Sequence, residues 1–340
     1  MYTSDRRADT TSKPARPATS PSPRGGARPN PNWSKLATGT AQLQRAPDRG
    51  EIYDRFLAAR EARDRFVEGA PYFLHNHLPS TGRGFFDAMY YPPDFRINIK
   101  VRFNFARPML SSYLEGKGYK EKDVTWAESE KEPFRQRFFK EALAPWNAAA
   151  VPLYCTRPYW DLQARVRMRF YDVDRDNPAG LPLAPGEIKP HFDVLAFKVP
   201  QGESQQDLVV SPNRRDQEGR VNIDSESLTP TRKDSGFSQR GAVHEAGHML
   251  GLDDVYTGTG VVGHEKLAQR ELGQSVPVGD DGRIMSTGET IGKTDTVTFV
   301  EAIRKATRMP EWSLSPPPLM PSPMPPTPYD DGVAPREAMA

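Results

Sequence analysis

The 340-residue sequence predicts an α+β fold, a mixed twisted β-sheet carrying helices on one side. Three observations carry that expectation. Two long stretches alternate strictly between apolar and polar residues, the mark of strands with one face on a core and one in water. Charged stretches with apolar residues at helical spacing lie among them. The order then runs strand, helix, several strands and two final helices.

Taken in order, residues 1–50 are rich in Pro, Ser, Thr, Gly and Arg and are expected to be a disordered basic tail, because such a segment buries too little apolar surface to offset its ordering entropy. A folded domain is expected over 51–310. Its first part, 51–90, reads as a helical extension, opened by EIYDRFLAAREARDRFVEG (51–69) with Ile52, Phe56, Leu57 and Phe66 available for one face. Its second part, 91–250, holds the sheet. There Phe95, Ile97, Ile99, Val101, Phe103 and Phe105 alternate with Arg96, Asn98, Lys100, Arg102 and Asn104. Residues 123–149 read as a helix with Phe134, Phe138 and Trp146 in register and Pro145 bending its end.

A second alternating strand sets Ala164, Val166, Met168 and Phe170 against Arg165, Arg167 and Arg169. FDVLAFKV (192–199) is more continuously apolar and fits a central strand. DLVVS (207–211) and RVNIDS (220–225) are short strands, Phe237–Leu250 is a helix, and the third part, 251–310, ends in the helix Thr296–Arg308. Residues 311–340 form a Pro-rich tail, in which SLSPPPLMPSPMPPTP should be extended and solvated.

Composition excludes several function classes. The formal net charge of +2 gives no global reason to expect a nucleic-acid partner. The single cysteine, Cys155, excludes an intrachain disulfide framework and an all-cysteine zinc site, and is expected as a buried free thiol. The N-terminus lacks the apolar core of a Sec signal peptide and no apolar run is long enough to span a membrane. Asp172, Asp174 and Asp176 alternate as in a calcium loop, but Asn177 and Leu183 stand where that loop needs Gly and Glu, so a polar turn is expected.

Chemistry concentrates at residues 244–254, HEAGHMLGLDD. On a helix, residues four apart share a face, so His244 and His248 can direct two imidazoles at one ion, and Glu245 can reach a water beside it. Zinc takes neutral imidazole nitrogens, and three protein ligands leave one position open. Gly251 stands where the helix should stop, free to adopt positive φ and turn the chain. That turn would bring the carboxylate of Asp254 back toward the ion as third ligand, with Asp253 pointing away. Loop histidine His264 is expected at the surface, and His75, His77 and His191 in structural or surface roles.

The pattern HExxHxxGxxD, filled by His244, Glu245, His248, Gly251 and Asp254, resembles the metzincin signature in its variant with an Asp ligand, and HEAGHMLGLDDVYTG is particularly similar to the snapalysin and immune-inhibitor-A branches. The segment DGRIMSTG resembles the Met-turn of that family, with Met285 beneath the metal. The resemblance covers residues 241–288. It implies a metzincin-like fold with an active-site helix, Met-turn and C-terminal helix over 51–310, a Zn²⁺ cofactor, a protein or peptide substrate, and Glu245 as general base of a zinc endopeptidase. Some members carry a Tyr two residues after the Met-turn methionine. Here Thr287 stands there, and Tyr256 is a weak substitute.

Two alternatives use the same residues. A gluzincin would take its third ligand from Glu265 or Glu271, leaving Gly251, Asp254 and Met285 without a role. A non-catalytic binding protein stabilised by zinc would have no use for Glu245. The strand before the helix, through Arg220, Val221, Asn222 and Ile223, is the expected edge for an extended substrate. A protease core with a basic tail and no leader points to an effector or toxin made in the cytoplasm and injected by a specialised secretion system, with the N-terminal tail engaging the delivery machinery.

Overall fold

A computed structural model describes residues 47–175, 189–204, 208, 219–256, 262–279 and 281–325. Residues 1–46 of the basic tail, the strand expected at 207–211 apart from Leu208, Asp176 with Asn177 and Leu183, and residues 326–340 lie outside them. The chain divides into the units Met1–Pro47 and Asp48–Ala340, and the fold described belongs to the second.

Helix α1 (Arg49–Glu68) starts at Asp48, whose carboxylate accepts the Glu51 N–H at 2.8 Å. Phe66 stacks on Tyr72 with ring centres 4.7 Å apart and also reaches Tyr90 and Trp160, while Phe56 meets Tyr159 edge-on. Leu57, expected on the same face, is 45% exposed, because one residue turns it about 100° off the stripe that Phe56 and Phe66 occupy.

Residues 72–91, expected within a helical extension, instead supply two strands, β1 (Tyr72–His77) and β2 (Phe86–Tyr91). Phe86, Ala88 and Tyr90 of β2 enter the core, but Asp87 is buried as well and Met89 and Tyr91 are apolar, which hides the period. The hub of the sheet is β3 (Asp94–Phe105). One of its edges pairs antiparallel with β2 over Asp94–Asn98 and then parallel with β6 (Phe192–Phe197) over Val101–Phe105. The other edge pairs parallel with β5 (Gln163–Asp172) over Asp94–Val101. Beyond β6 lies β7 (Arg220–Asp224). Beyond β5 lie β4 (Leu153–Cys155) and a short C-terminal strand at Trp312–Ser313. The result is a curled, mixed sheet with several helices.

Alternation in β3 and β5 works as the pattern requires. Phe95, Ile97, Ile99 and Val101, with Ala164, Val166, Met168 and Phe170, enter one core, and the arginines between them face the other way. The single helix expected over 123–149 is two, α3 (Glu128–Glu141) and α4 (Ala144–Ala149), preceded by the short α2 (Ser112–Gly116). Pro145 sits in the first turn of α4 and opens it instead of bending the end of a longer helix, since its missing N–H has no intrahelical partner to lose there. Asn147 of α4 turns its amide onto the edge of β5, accepting the Met168 N–H at 2.7 Å and donating to the Met168 carbonyl at 3.0 Å.

The helix expected from Phe237 begins only at Gly241. Ser238–Gln239 (β9) pairs with Thr231–Arg232 (β8) as a small hairpin, and Arg240 is still extended, so α5 runs Gly241–Met249. An unexpected helix, α6 (Val262–Leu272), follows; glycines on its N-terminal side masked its periodicity. The last helix, α7 (Val297–Thr307), is terminated by Arg308 in the left-handed region. Fully buried Trp312 packs edge-on against Tyr90 and Leu314 is also buried, so the Pro-rich tail expected from 311 starts only after Leu314. No helix among the described residues is long and apolar enough to cross a membrane.

Candidate metal centre

Helix α5 is built from small residues where it must be close to its neighbours. Even a methyl group on Gly247 would collide with the Met285 sulfur and the Trp146 ring. Trp146 donates its indole N–H to the Val243 carbonyl at 2.9 Å, fixing α4 against α5. The helix then ends in a Schellman turn: the Leu252 N–H bonds the Gly247 carbonyl at 3.1 Å and the Gly251 N–H bonds the His248 carbonyl at 3.0 Å. Gly251 has φ +96, and a Cβ there would stand 2.6 Å from Pro79 Cγ. Both the backbone angle and the approach of the 79–85 segment require glycine.

That turn returns the chain to the helix. The nearest carboxylate oxygen of Asp254, Oδ1, lies 3.0 Å from His244 Nε2 and 3.2 Å from His248 Nε2. One ligand atom from each of the three residues falls within 4.8 Å of the others. The imidazoles are oriented from behind. His244 Nδ1 faces the Ile284 carbonyl at 2.7 Å, and His248 Nδ1 faces the Leu252 carbonyl at 2.9 Å. A nitrogen facing a carbonyl carries the proton, so each Nε2 presents a lone pair to the common point. Two lone pairs and a carboxylate oxygen converging at hydrogen-bond distance repel one another unless a proton or a cation lies between them.

With a proton rather than an ion at the common point, the imidazoles donate to Asp254 instead. Burial works to raise its carboxyl, but those hydrogen bonds outweigh it and hold that group well below the usual carboxylate range. Burial opposes the charged form of His248, yet the Asp254 and Glu245 carboxylates raise its pKa. Burial pushes the Glu245 carboxyl up, with the two imidazoles pulling against it.

Met285 is fully buried in a tight turn beneath α5. The Ser286 and Gly288 N–H groups both return to the Arg283 carbonyl, and the Met285 carbonyl accepts the Val255 N–H at 2.9 Å, tying this turn to the residue after Asp254. Thr287 serves the turn itself, donating to the Asp281 carbonyl and accepting from Ser235. Asp253 points away from the His244, His248 and Asp254 cluster, held by Arg83 at 2.8 Å and by the backbone of His264. The strand expected to receive substrate is β7, beside α5. Its residues Arg220, Asn222 and Asp224 are already engaged, with Val221 and Ile223 buried.

Other expectations move. His264 is not at the surface; it is fully buried in α6 and donates Nε2–H to the Thr294 carbonyl at 2.7 Å. Glu265 accepts the Val276 N–H, and Glu271 pairs with Arg270 and Arg304, so neither carboxylate joins the histidines. Cys155 is a buried free thiol in β4. His77 is buried, His75 exposed, and His191 sits 3.4 Å from Asp87 in a polar cluster with Lys100. Asp172 is taken by Arg135, and Asp174 lies near Arg102.

Two residues belong to the site more closely than their sequence context signals. The Tyr256 hydroxyl is 3.4 Å from His244 Nε2 and its ring stacks on that imidazole. Gln239 is buried just before α5, and its amide donates to the Ile284 and Ser286 carbonyls at 2.8 and 2.6 Å, clamping the Met285 turn from both sides. A position two residues past Asp254 gave a hint of Tyr256; nothing in the sequence marks Gln239. Compared with known proteins, the chain matches no family model, no curated protein and no solved structure.

Proposed function

We propose that this chain is a zinc-dependent endopeptidase of the metzincin type, with His244, His248 and Asp254 holding the metal and Glu245 acting as general base. The observation that carries the reading is the convergence of three acceptor atoms within 4.8 Å, each imidazole oriented by a backbone carbonyl. Three neutral or anionic N and O donors with no cysteine suit Zn²⁺ with one open position, as in catalytic rather than closed structural sites. The helix, glycine turn and buried Met285 in sequence support the metzincin-like form of the fold.

Zinc bound there would polarise a scissile carbonyl and bring the pKa of water toward neutrality. Glu245, one residue past the first ligand, takes the proton of the attacking water at its carboxylate and passes it to the leaving amine. Burial raises its pKa above the ordinary carboxylate value, which makes it a stronger proton acceptor. Its place on α5 has no purpose in a site that only binds metal.

The test is metal content and casein hydrolysis for the wild type, Glu245→Ala and His248→Ala. Glu245→Ala should retain one zinc per chain and lose hydrolysis by at least about a hundredfold. His248→Ala should lose both. Undiminished hydrolysis by Glu245→Ala, or a wild type that takes up no zinc, overturns the reading.

A further inference from the structure

On the sheet face turned away from the core, β3 and β5 line a groove of about 1050 Å³. Among the described residues its charged lining is Arg96, Arg165, Arg167, Arg169 and Asp94; Arg169 is engaged elsewhere, and the other three guanidinium groups surround the carboxylate of Asp94. Asp94 is shared out among three of them, lying 3.1 Å from Arg165, 3.6 Å from Arg167 and 3.9 Å from Arg96. These arginines are also at least half exposed, at 52%, 53% and 62% for Arg96, Arg165 and Arg167. The register sets Arg96 directly opposite Arg167. Like charges at opposed positions destabilise a sheet, and the one carboxylate of Asp94 cannot neutralise three guanidinium groups. A fold with no use for the charge gains nothing from that arrangement.

We propose that this groove docks an extended acidic segment of a partner polypeptide. Alternate residues of a strand are about 6.6 Å apart, so Arg165 and Arg167 stand at the repeat of every second side chain in an extended peptide. Acidic residues at alternate positions of such a peptide would meet one guanidinium each, with Arg96 adding a second donor beside Arg167, and each fork offers paired hydrogen bonds to a carboxylate. Nucleic acid shares the charge but not the rest of the chemistry. Single strands are held by aromatic stacking, and among the described residues the one aromatic lining the groove, Tyr171, has its ring under the Arg169 guanidinium. The proposal does not depend on the metal site, which uses the opposite layer.

The experiment is fluorescence anisotropy with the full chain and three labelled probes: a short peptide with Glu at alternate positions, the same peptide with Gln, and a short oligothymidine. The Glu peptide should bind in a salt-sensitive way and the Gln peptide should not. Arg165→Gln combined with Arg167→Gln should weaken binding about tenfold or more. Asp94→Asn removes the internal competitor and should tighten binding, a gain that damage to the fold would not produce. Equal behaviour of the Glu and Gln peptides, tighter binding of oligothymidine, or a folded double variant that binds as well as the wild type overturns the proposal. So does an Asp94→Asn variant with unchanged affinity.

Discussion

Replacing Gly251 by alanine tests the geometry on which the metal site rests. The substitution leaves every ligand in place and changes only the turn between them. At φ +96 a Cβ clashes with the chain's own carbonyl, a cost of about 1–2 kcal/mol. The same Cβ would stand 2.6 Å from Pro79 Cγ and 3.1 Å from the Arg83 carbonyl, an overpacking that costs roughly 1–3 kcal/mol more. The total, about 2–5 kcal/mol, must appear somewhere. If the turn holds, the metal-free protein loses that stability. If the turn yields, Asp254 moves off the imidazoles and zinc affinity falls, by up to roughly three orders of magnitude. Urea unfolding of the metal-free protein measures the first share, and zinc competition against a chromophoric chelator measures the second. A Gly251→Ala protein with both quantities within about 0.5 kcal/mol of the wild type would refute the claim that this turn positions the third ligand.

Other perturbations separate the remaining elements. Gln239→Leu leaves the Ile284 and Ser286 carbonyls without their shared donor and should destabilise the fold by about 1–3 kcal/mol while weakening zinc binding, measured by the same two assays; unchanged zinc affinity would limit Gln239 to a packing role. Burial, aided by nearby Lys305, holds the His77 pKa down at about 4, so the unfolded chain binds the extra proton between that value and the model-peptide value of 6.5. Stability from this group is therefore complete above about pH 6.5 and is lost as pH falls toward 4, by up to about 3 kcal/mol. His77→Leu should flatten the slope of unfolding free energy over that window, and an unaltered slope would discount the burial argument. Chelation should lower the melting temperature, because a metal held a thousandfold above its Kd adds about 4 kcal/mol to the folded state; a melting curve indifferent to EDTA and to restored zinc would count against a bound ion.

Legibility tracked how local the governing interaction is. β3 and β5 could be read directly, because period-2 alternation of apolar with polar residues is a property of neighbours in sequence, and β6 because its continuous apolar run is equally local. The convergence of His244, His248 and Asp254 could be read for the same reason: two histidines a turn apart, a glycine where the helix must stop, and a carboxylate three residues on are all local spacings. What stayed hidden depends on contacts distant in sequence. Helix α6 and buried His264 are defined by Asp253, Thr294 and the close approach of Thr81 to Gly263, none of which marks the segment itself. Gln239 acts on carbonyls more than forty residues away. Strand β1 went unseen because its residues do not alternate in polarity, His75 and Asn76 being adjacent polar positions, and β2 because Met89 and Tyr91 are apolar at positions turned from the core.

The side-chain amide of Asn147 occupies both backbone groups of Met168 at the outer edge of β5, just past the point where β4 stops pairing. A passing chain that tried to extend the sheet there would find the donor and acceptor of Met168 already taken. One neutral amide thus blunts that stretch of sheet edge without adding a charge to a strand already rich in arginine.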